Sequence, residues 1–168
     1  MTTTLDKREF RNIMGTFATG VTLITAARDE VYTGITVNSF SSVSLDPVLV
    51  LVCIDLTAES HPFIAESRAF VINILARDQE DLSRQFATKD PDKDRAVRNI
   101  PHRIGEVGAP ILEGTLAHLE CTVVNEVHAG DHTVFVGEVV DAGYASDAGP
   151  PLVFYQGKYR DLAAPPEA

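Results

Sequence analysis

The fold is decided by the stretch EVHAGDHTVFVGEV, residues 126–139, in which two β-like runs flank the dipeptide Gly130-Asp131. Gly-Asp between alternating apolar runs is typical of a tight turn that joins two antiparallel strands. Valine, threonine and phenylalanine, which are enriched in strands, dominate the second run. The stretch therefore predicts a long β-hairpin that reverses at Gly130 and Asp131.

Most of the remaining apolar sequence also has strand character, since it is rich in β-branched and aromatic residues and is divided by turn formers. Together with the two arms of the hairpin, seven strands are predicted: GVTLITA (20–26), YTGITV (32–37), PVLVLVCI (47–54), AFVINIL (69–75), LAHLECTVVNEV (116–127), HTVFVGEVVDA (132–142) and PLVFYQGKY (151–159). Closure into a barrel removes exposed strand edges. We therefore expect a mainly β fold, a closed or split antiparallel barrel with Greek-key-like connections.

Helical spacing appears only in short pieces, so helices are expected to decorate the sheet. The first piece combines an apolar stripe with a capping-box pair, the second has proline in its first turn, and the third follows a strand. These helices are predicted behind Asp6 and Glu9 with the stripe Phe10, Ile13, Met14 and Phe17, from Ser60 with Pro62, and from Asp78 to Phe86.

Length and composition predict one domain. The chain has 168 residues, of which 45% are hydrophobic, enough for one good core and short for two. We expect a single domain over residues 1–168, with an ordered core from about 6 to 162 and a flexible tail at AAPPEA (163–168).

Charge and hydropathy exclude several classes of partner. The net charge is −10, and no basic stripe is present, which argues against binding to nucleic acid. The longest apolar run, residues 48–54, is far shorter than the roughly 20 residues of a membrane span, and MTTTLDKREF has no apolar signal core. A cytoplasmic protein is expected, with Cys53 and Cys121 reduced.

Familiar nucleotide and metal motifs fail on inspection. GTFATGVT (15–22) begins like a phosphate loop, but Val21 stands where the lysine is needed, and no Gly-x-Gly-x-x-Gly occurs. His118 and Cys121 point to opposite faces of a strand because their separation is odd. His128 and His132 flank the predicted turn, and Glu138 follows on the same strand as His132, a pattern similar to a cupin metal site. A third strong ligand is hard to place, so no metal is expected.

The segment VNSFSSVS (37–44) has two interpretations. It is either a polar loop that leads into a strand, since serine and asparagine favour turns, or a concave surface rich in hydrogen-bond donors. Such a surface would hold an anionic cofactor without fixed positive charge.

Five segments, in this order, resemble the short-chain flavin reductases that serve two-component monooxygenases. They are FRNIMGTFATGVTLITA (10–26), GITVNSFSSVSLDPVLVLVCID (34–55), FVINILARDQEDLSRQFA (70–87), AGDHTVFVGEV (129–139) and PLVFYQGKY (151–159). The resemblance implies a split β-barrel homodimer that binds FMN or FAD near the subunit interface. It also implies that the protein reduces the flavin with NADH or NADPH and supplies it to a partner monooxygenase.

The same resemblance implies the site residues. The flavin's isoalloxazine edge is assigned to Thr36, Val37, Asn38 and Ser39. The ring, ribityl chain and phosphate are assigned to Ser42, Cys53, Ile54, Asp55, Ser60, Phe86 and Ala87. On the nicotinamide side the matching positions are His132, expected to be catalytic, with Tyr155 and Gly157. The segment TKDPDKDRAVRNIP (88–101) finds no match.

Simpler roles and other functions stay open for these residues. Asp55 could cap the following loop, His132 could be a hairpin residue, and Phe86 and Tyr155 could be core residues. Hydride transfer needs no acid–base triad, and the sequence contains none that is recognisable. The alternatives are a flavin-binding module without turnover and an oxidase of the pyridoxamine-phosphate type, whose phosphate would favour basic side chains.

Overall fold

Long antiparallel strands dominate the chain, as the sequence predicts. The computed structural model describes residues 5–90, 92–147 and 149–162, so the AAPPEA tail lies outside the described residues. The strands are β1 Thr19–Gly20, β2 Thr22–Arg28, β3 Val31–Val37, β4 Phe40–Leu45, β5 Val48–Asp55, β6 Ala69–Ile74, β7 His102–Ile104, β8 Pro110–Leu112, β9 Ala117–Ala129, β10 His132–Tyr144, β11 Val153–Tyr155 and β12 Lys158–Arg160. The helices are α1 Lys7–Gly15, α2 Ser60–Ser67, α3 Glu80–Phe86 and α4 Lys93–Arg98, with a 3-10 turn at Arg77–Gln79.

Seven strands form one antiparallel sheet in the order β3-β2-β6-β9-β10-β5-β4. The two edge strands of this sheet, β3 and β4, are separated in sequence only by Asn38 and Ser39. The sheet must therefore curl until the end of β3 comes close to the start of β4, because the three Cα–Cα steps from Val37 to Phe40 span at most about 11 Å. No hydrogen-bonded ladder joins β3 to β4 among the described residues, so the sheet is curled without being closed by pairing.

The β9–β10 hairpin is the longest element, with 13 residues in each strand. Its turn contains Gly130 and Asp131, and His132 pairs with Ala129. Gly130 has a φ of 66°, which suits glycine in a tight turn. The predicted hairpin and its turn are confirmed.

Both faces of the central sheet are buried, because successive residues of a strand point to opposite sides. On β2, Ile24 packs in the larger core with Phe70 and Phe135, whereas its neighbour Leu23 packs in a second core with Phe86. Each large apolar side chain buried in this way contributes about 1.5–3 kcal/mol. The second core is completed by α3 and α4, which therefore fix the position of the segment between them.

The structure differs from the prediction in three places. VNSFSSVS is mostly edge strand β4, since its residues pair with the apolar strand β5. PLVFYQGKY forms the hairpin β11–β12, because Gln156 and Gly157 adopt the positive φ values of a tight turn. Helix α4, with Asp92 accepting a hydrogen bond from the Arg95 N–H, was not predicted because charged residues conceal its short apolar face.

The three predicted helices are present, but α1 differs in its packing. Asp6 makes no side-chain cap hydrogen bond, and none of the nine residues of Lys7–Gly15 is buried. Its apolar residues Phe10, Ile13 and Met14 are each about half exposed. Among the described residues, no helix combines the length and the apolar character needed to cross a membrane.

Candidate functional site

A cleft of about 160 Å³ opens beside β3, between the end of β5, the start of α2 and the segment that follows α3. Four of the residues assigned to the flavin by resemblance line it, namely Asp55, Ser60, Phe86 and Ala87. The other lining residues are Gly34, Ile35, Thr57, Ala58, Glu59, Thr88, Lys89 and Lys93. The lining combines apolar residues of β3 and Phe86 with two acidic side chains and two lysines, so the cleft suits a molecule with a flat apolar part and a charged part.

Lys89 and Lys93 give the cleft fixed positive charge. The Lys93 ammonium donates hydrogen bonds to the carbonyls of Thr88 at 2.7 Å and Phe86 at 3.4 Å. It lies 5.0 Å from the centre of the Phe86 ring, and burial lowers the pKa of this amine. Lys89 is exposed. The anion site without fixed charge that the sequence predicted lies at VNSFSSVS, whose residues are not among those that line this cleft, and the two lysines come from the segment that found no match.

Gly34 allows β3 and Phe86 to pack closely at the floor of the cleft. A Cβ at this position would lie 2.8 Å from the Phe86 ring, so only glycine allows β3 to pack directly on that side chain. Phe86 is 1% exposed and belongs to the second core. Its core role is therefore established, and its ring also forms part of the cleft.

Asp55 takes the capping role that the sequence left open, at the edge of the cleft. Its carboxylate accepts hydrogen bonds from the Thr57 hydroxyl at 2.7 Å and the Thr57 N–H at 2.6 Å. These bonds, aided by the charges of His132 and Lys89, lower the pKa of Asp55. Asp55 thus caps the loop before α2 and keeps a negative charge at the cleft. Ser60 is buried, and its hydroxyl shares a hydrogen bond of 2.9 Å with Thr33.

The residues between β3 and β4 form a polar connection across the gap between the sheet edges. The Thr36 hydroxyl donates to the Ser83 carbonyl at 2.8 Å, and Asn38 donates to the Thr19 hydroxyl at 3.1 Å. The Ser39 hydroxyl donates to the Cys53 carbonyl at 2.9 Å. Val37 ends β3 and is half-buried. These bonds fix the segment's backbone in front of β5.

The structure separates the remaining assigned residues by exposure. Cys53 and Asp55 alternate with Ile54, whose side chain is fully buried in the larger core, so only the backbone of Ile54 can meet a ligand. Burial raises the pKa of the Cys53 thiol. Ser42 is exposed on β4. Cys121 is fully buried in the larger core, where burial raises its pKa to about 12, and both thiols are free.

His132 lies at the turn end of the β9–β10 hairpin, opposite Asp55 in the β5–β10 pairing. Its side chain is 42% exposed. The Nδ1–H donates to the Asp131 carboxylate at 2.8 Å, and this hydrogen bond, with the charge of His132, lowers the pKa of Asp131. The other ring nitrogen, Nε2, is therefore the atom that can meet a reactant. His128, His132 and Glu138 do not converge as a set of ligands within the described residues.

Tyr155 and Gly157 lie on the β11–β12 hairpin. Gly157 has a φ of 72° in its turn, where glycine is favoured. The neighbouring Gln156 N–H donates to the Gly15 carbonyl at 2.8 Å, and β11 pairs with β1 through Thr19 and Phe154. Because Asn38 also bonds Thr19, the hairpin is tied to the β3–β4 connection.

Comparison with known proteins identifies what the chain is similar to. A model of the flavin reductase like domain matches residues 14–163. An NADH-dependent flavin reductase from a Rhodococcus species is 48% identical over 156 residues, which cover 90% of this chain and 84% of that protein. The reductase subunit of a flavin-dependent monooxygenase from Mycobacterium tuberculosis is 40% identical over 163 residues, which cover 96% and 86%.

A solved structure agrees with these matches. The NADH:FAD oxidoreductase of Streptomyces globisporus C-1027, in complex with NAD and FAD fragments, superposes with a TM-score of 0.88 at 35% identity. The superposition covers 96% of each chain. The likeness therefore extends over nearly the whole sequence, including every segment that forms the cleft.

Proposed function

The chain belongs to the flavin reductase like domain family, and on that premise we propose that it oxidises NADH or NADPH and reduces FMN or FAD. The observation that carries this proposal is the cleft at β3, β5 and α2, with an aromatic floor and two lysines at one wall. This combination suits a flat ring joined to a phosphate. The family match over residues 14–163 supports a single domain.

Lys89, Lys93 and the first turn of α2 hold the flavin's phosphate. Backbone N–H groups at a helix start and a nearby ammonium are both favourable to an anion. Ser60 begins α2 at the cleft, and Ala87 and Thr88 continue the opposite wall. Electrostatic attraction to this wall orients the phosphate end and leaves the ring end to the β3–β4 connection.

Thr36, Val37, Asn38 and Ser39 hold the isoalloxazine edge, with Ser42, Cys53, the Ile54 backbone and Asp55 beside it. Their hydrogen bonds to Ser83, Thr19 and Cys53 fix the backbone, so donors directed at a ligand need no rearrangement. A bound flavin accepts the hydride that a bound nicotinamide donates, and this chemistry belongs to the cofactors. The chain supplies alignment.

His132 is the proposed catalytic residue, with Tyr155 and Gly157 on the nicotinamide side. Asp131 fixes the imidazole through Nδ1, so Nε2 keeps a constant direction beside Asp55. From there it orients the nicotinamide or stabilises the negative charge that grows on the reduced ring.

A steady-state assay tests the function directly. The purified chain should oxidise NADH or NADPH only when FMN or FAD is present, and the dependence on flavin should saturate. Flavin binding without nicotinamide oxidation, in air and under anaerobic conditions, would replace the reductase by a binding module. Oxidation of pyridoxamine phosphate instead would favour the oxidase alternative.

A flavin-dependent monooxygenase in the cytoplasm is the proposed consumer of the reduced flavin. The Mycobacterium tuberculosis relative is a reductase subunit of such a monooxygenase, which supports this partner. The curled sheet, whose edges are joined by Asn38 and Ser39, supports the split-barrel description. Adding a candidate oxygenase should couple NADH oxidation to oxygenated product.

A homodimer is proposed because α1 and the β4–β5 edge leave apolar side chains in contact with water. Phe17 is 70% exposed and Leu45 is 87% exposed. Large apolar side chains left in water are covered when an interface forms, and a two-fold dimer would cover the same side chains on both chains. Light scattering at micromolar concentration should give twice the chain mass, and a monomer with full activity would contradict the dimer.

A further inference from the structure

Three potential metal ligands lie together at the end of the β9–β10 hairpin away from its turn. His118 and Glu120 are two residues apart and share one face of β9. A β-bulge between Val139 and Asp141 sets Asp141 of β10 opposite Glu120. One ligand atom from each of the three lies within 4.8 Å of the others. We call His118, Glu120 and Asp141 the root cluster.

Glu120 is the buried member of the root cluster, and its carboxylate is only partly satisfied. The side chain is 0% exposed. Oε2 accepts a hydrogen bond of 3.0 Å from the Val107 N–H, whereas Oε1 has no partner among the residues that the structure describes. A buried carboxylate is costly unless it is paired or coordinates a metal. The second oxygen is therefore suited to a cation.

Two glycines make room for these ligands. A Cβ on Gly105 would collide with the Glu120 carboxylate, and a Cβ on Gly143 would collide with the His118 ring. Gly143 lies directly opposite His118 in the β9–β10 pairing. Because both collisions involve candidate ligands, the backbone around the root cluster is shaped to these two side chains.

His118 presents a nitrogen that can bind a metal. Its Nε2 lies 3.1 Å from Nη2 of Arg103. A guanidinium only donates hydrogen bonds, so Nε2 must accept, and the ring proton is on Nδ1. The Nε2 lone pair thus already faces the cationic Arg103 side chain. Nε2 itself lies 4.0 Å from an Asp141 oxygen. Arg103 is exposed, so its long side chain can withdraw into solvent.

We propose that the root cluster binds a divalent first-row transition cation of the zinc class, with Arg103 moving aside. One imidazole and two carboxylates suit this class, whereas Mg²⁺ and Ca²⁺ favour sets of oxygen ligands alone. Zinc ligands at about 2.0–2.2 Å lie about 3.4 Å from one another. The ligand atoms of the root cluster lie up to 4.8 Å apart, and rotation of the half-exposed Asp141 side chain brings them to this shorter spacing.

The metal acts far from the proposed flavin chemistry. Asp141 follows His132 by nine positions along β10, which is about 30 Å of extended strand. The ion would fasten the loop at Gly105 and Val107 to the β9–β10 hairpin, since Glu120 contacts both. Metal binding therefore stabilises the fold, and it is testable without any assay of flavin reduction.

The experiment uses the untagged full chain, freed of metal with a chelator. Co²⁺ titration should give visible absorption that saturates at one ion per chain. Zn²⁺ at about 100 times its Kd should raise the Tm by about 5–10 °C, whereas Mg²⁺ should leave it unchanged. No Co²⁺ band and no Zn²⁺ shift would overturn the proposal, and so would an equal response to Mg²⁺.

Variants assign the signal to the root cluster. Glu120→Gln and His118→Ala should each weaken Co²⁺ binding at least 10-fold, while His128→Ala, another histidine of β9, should leave it unchanged. Arg103→Ala should strengthen binding, because it removes a competing cation. If Glu120→Gln fails to fold, Asp141→Asn on the exposed side replaces it. Binding that persists in His118→Ala and Asp141→Asn overturns the assignment.

Discussion

The two ends of the β9–β10 hairpin carry a histidine beside an aspartate, yet their surroundings differ. At the turn, Asp131 and His132 are 83% and 42% exposed and face the end of β5. At the root, His118 is only 16% exposed and adjoins the fully buried Glu120. Residue type alone therefore does not assign chemistry, because solvent access decides which of the two pairs a reactant can reach.

The root should be sensitive to added volume, and this is the largest effect expected. Gly105→Ala would drive a methyl group into both oxygens of the buried Glu120 carboxylate, which lie on the side of the loop backbone. Overpacking of this kind costs about 1–3 kcal/mol of the free energy of unfolding. Urea unfolding followed by circular dichroism measures the loss.

Gly20→Ala is the matched control, since a Cβ there meets no atom within 4 Å. It should change the free energy of unfolding by less than about 0.5 kcal/mol. Equal destabilisation of the two variants would show that the root is no more tightly packed than an open strand, and the contrast between the hairpin's ends would fail.

The turn should be sensitive in rate and much less sensitive in stability than the root. His132→Ala should lower the rate of flavin reduction about 10-fold, equivalent to about 1.4 kcal/mol in the transition state. Affinity for oxidised flavin should be nearly unchanged, because the lost contact belongs to the complex with nicotinamide. Anaerobic stopped-flow measurement at saturating NADH separates this rate from reoxidation.

His128→Ala is the control for removing a histidine near the same turn. His128 is exposed and contacts the Thr133 hydroxyl at 3.3 Å, so its loss should leave the reduction rate within about twofold of wild type. If His132→Ala reduces flavin at the wild-type rate, His132 is only a hairpin residue and the turn has no role in flavin reduction.

Much of the fold was predictable because the hairpin and strands are strongly periodic. The turn at Gly130 and Asp131 was found correctly, since its dipeptide lies between two β-like runs. Strand β4 was missed as a strand, because its serines mark exposed edge positions and resemble loop composition. Helix α4 was missed because most of its six residues are charged.

The cleft was predictable in part, and its limits have a physical cause. Asp55, Ser60, Phe86 and Ala87 were assigned through resemblance and line one cleft. Lys89 and Lys93 were missed, because the sequence surrounds them with aspartates and only the fold brings them to the same wall. The root cluster depends on the bulge at Val140, which sets Asp141 opposite Glu120 and which no periodic pattern in the sequence predicts.

Lys89 belongs to the wall of the cleft that faces the turn, since its positive charge helps to lower the pKa of Asp55. Lys89→Met should raise the Kd for FMN about fivefold at low salt, equivalent to about 1 kcal/mol for one partly screened charge pair. Riboflavin, which lacks the phosphate, should bind the variant as well as wild type. Fluorescence quenching titrations measure both affinities.

Lys7→Met removes an equal charge from the exposed helix α1 and should leave the Kd for FMN unchanged. A parallel loss of riboflavin and FMN affinity in Lys89→Met would mean that Lys89 shapes the cleft without reading the phosphate. Unchanged FMN affinity would move the phosphate away from this wall.

The smallest effect expected is the pH dependence of the ion pair at the turn. The hydrogen bond from His132 lowers the pKa of Asp131 below its ordinary value of 3.8, so the folded state holds this proton less tightly than the unfolded state. The resulting stabilisation is present above about pH 4 and is lost as the pH falls through the lowered pKa.

Both side chains are largely exposed, so solvent screens the interaction. Asp131→Asn should therefore be slightly less stable than wild type at pH 6, and the difference should shrink as the pH falls below 3.8. Asp147→Asn, an exposed turn aspartate, is the control and should follow wild type throughout. A difference between Asp131→Asn and wild type that persists unchanged at pH 3 would mean that the turn is held by packing, as the root is, and not by charge.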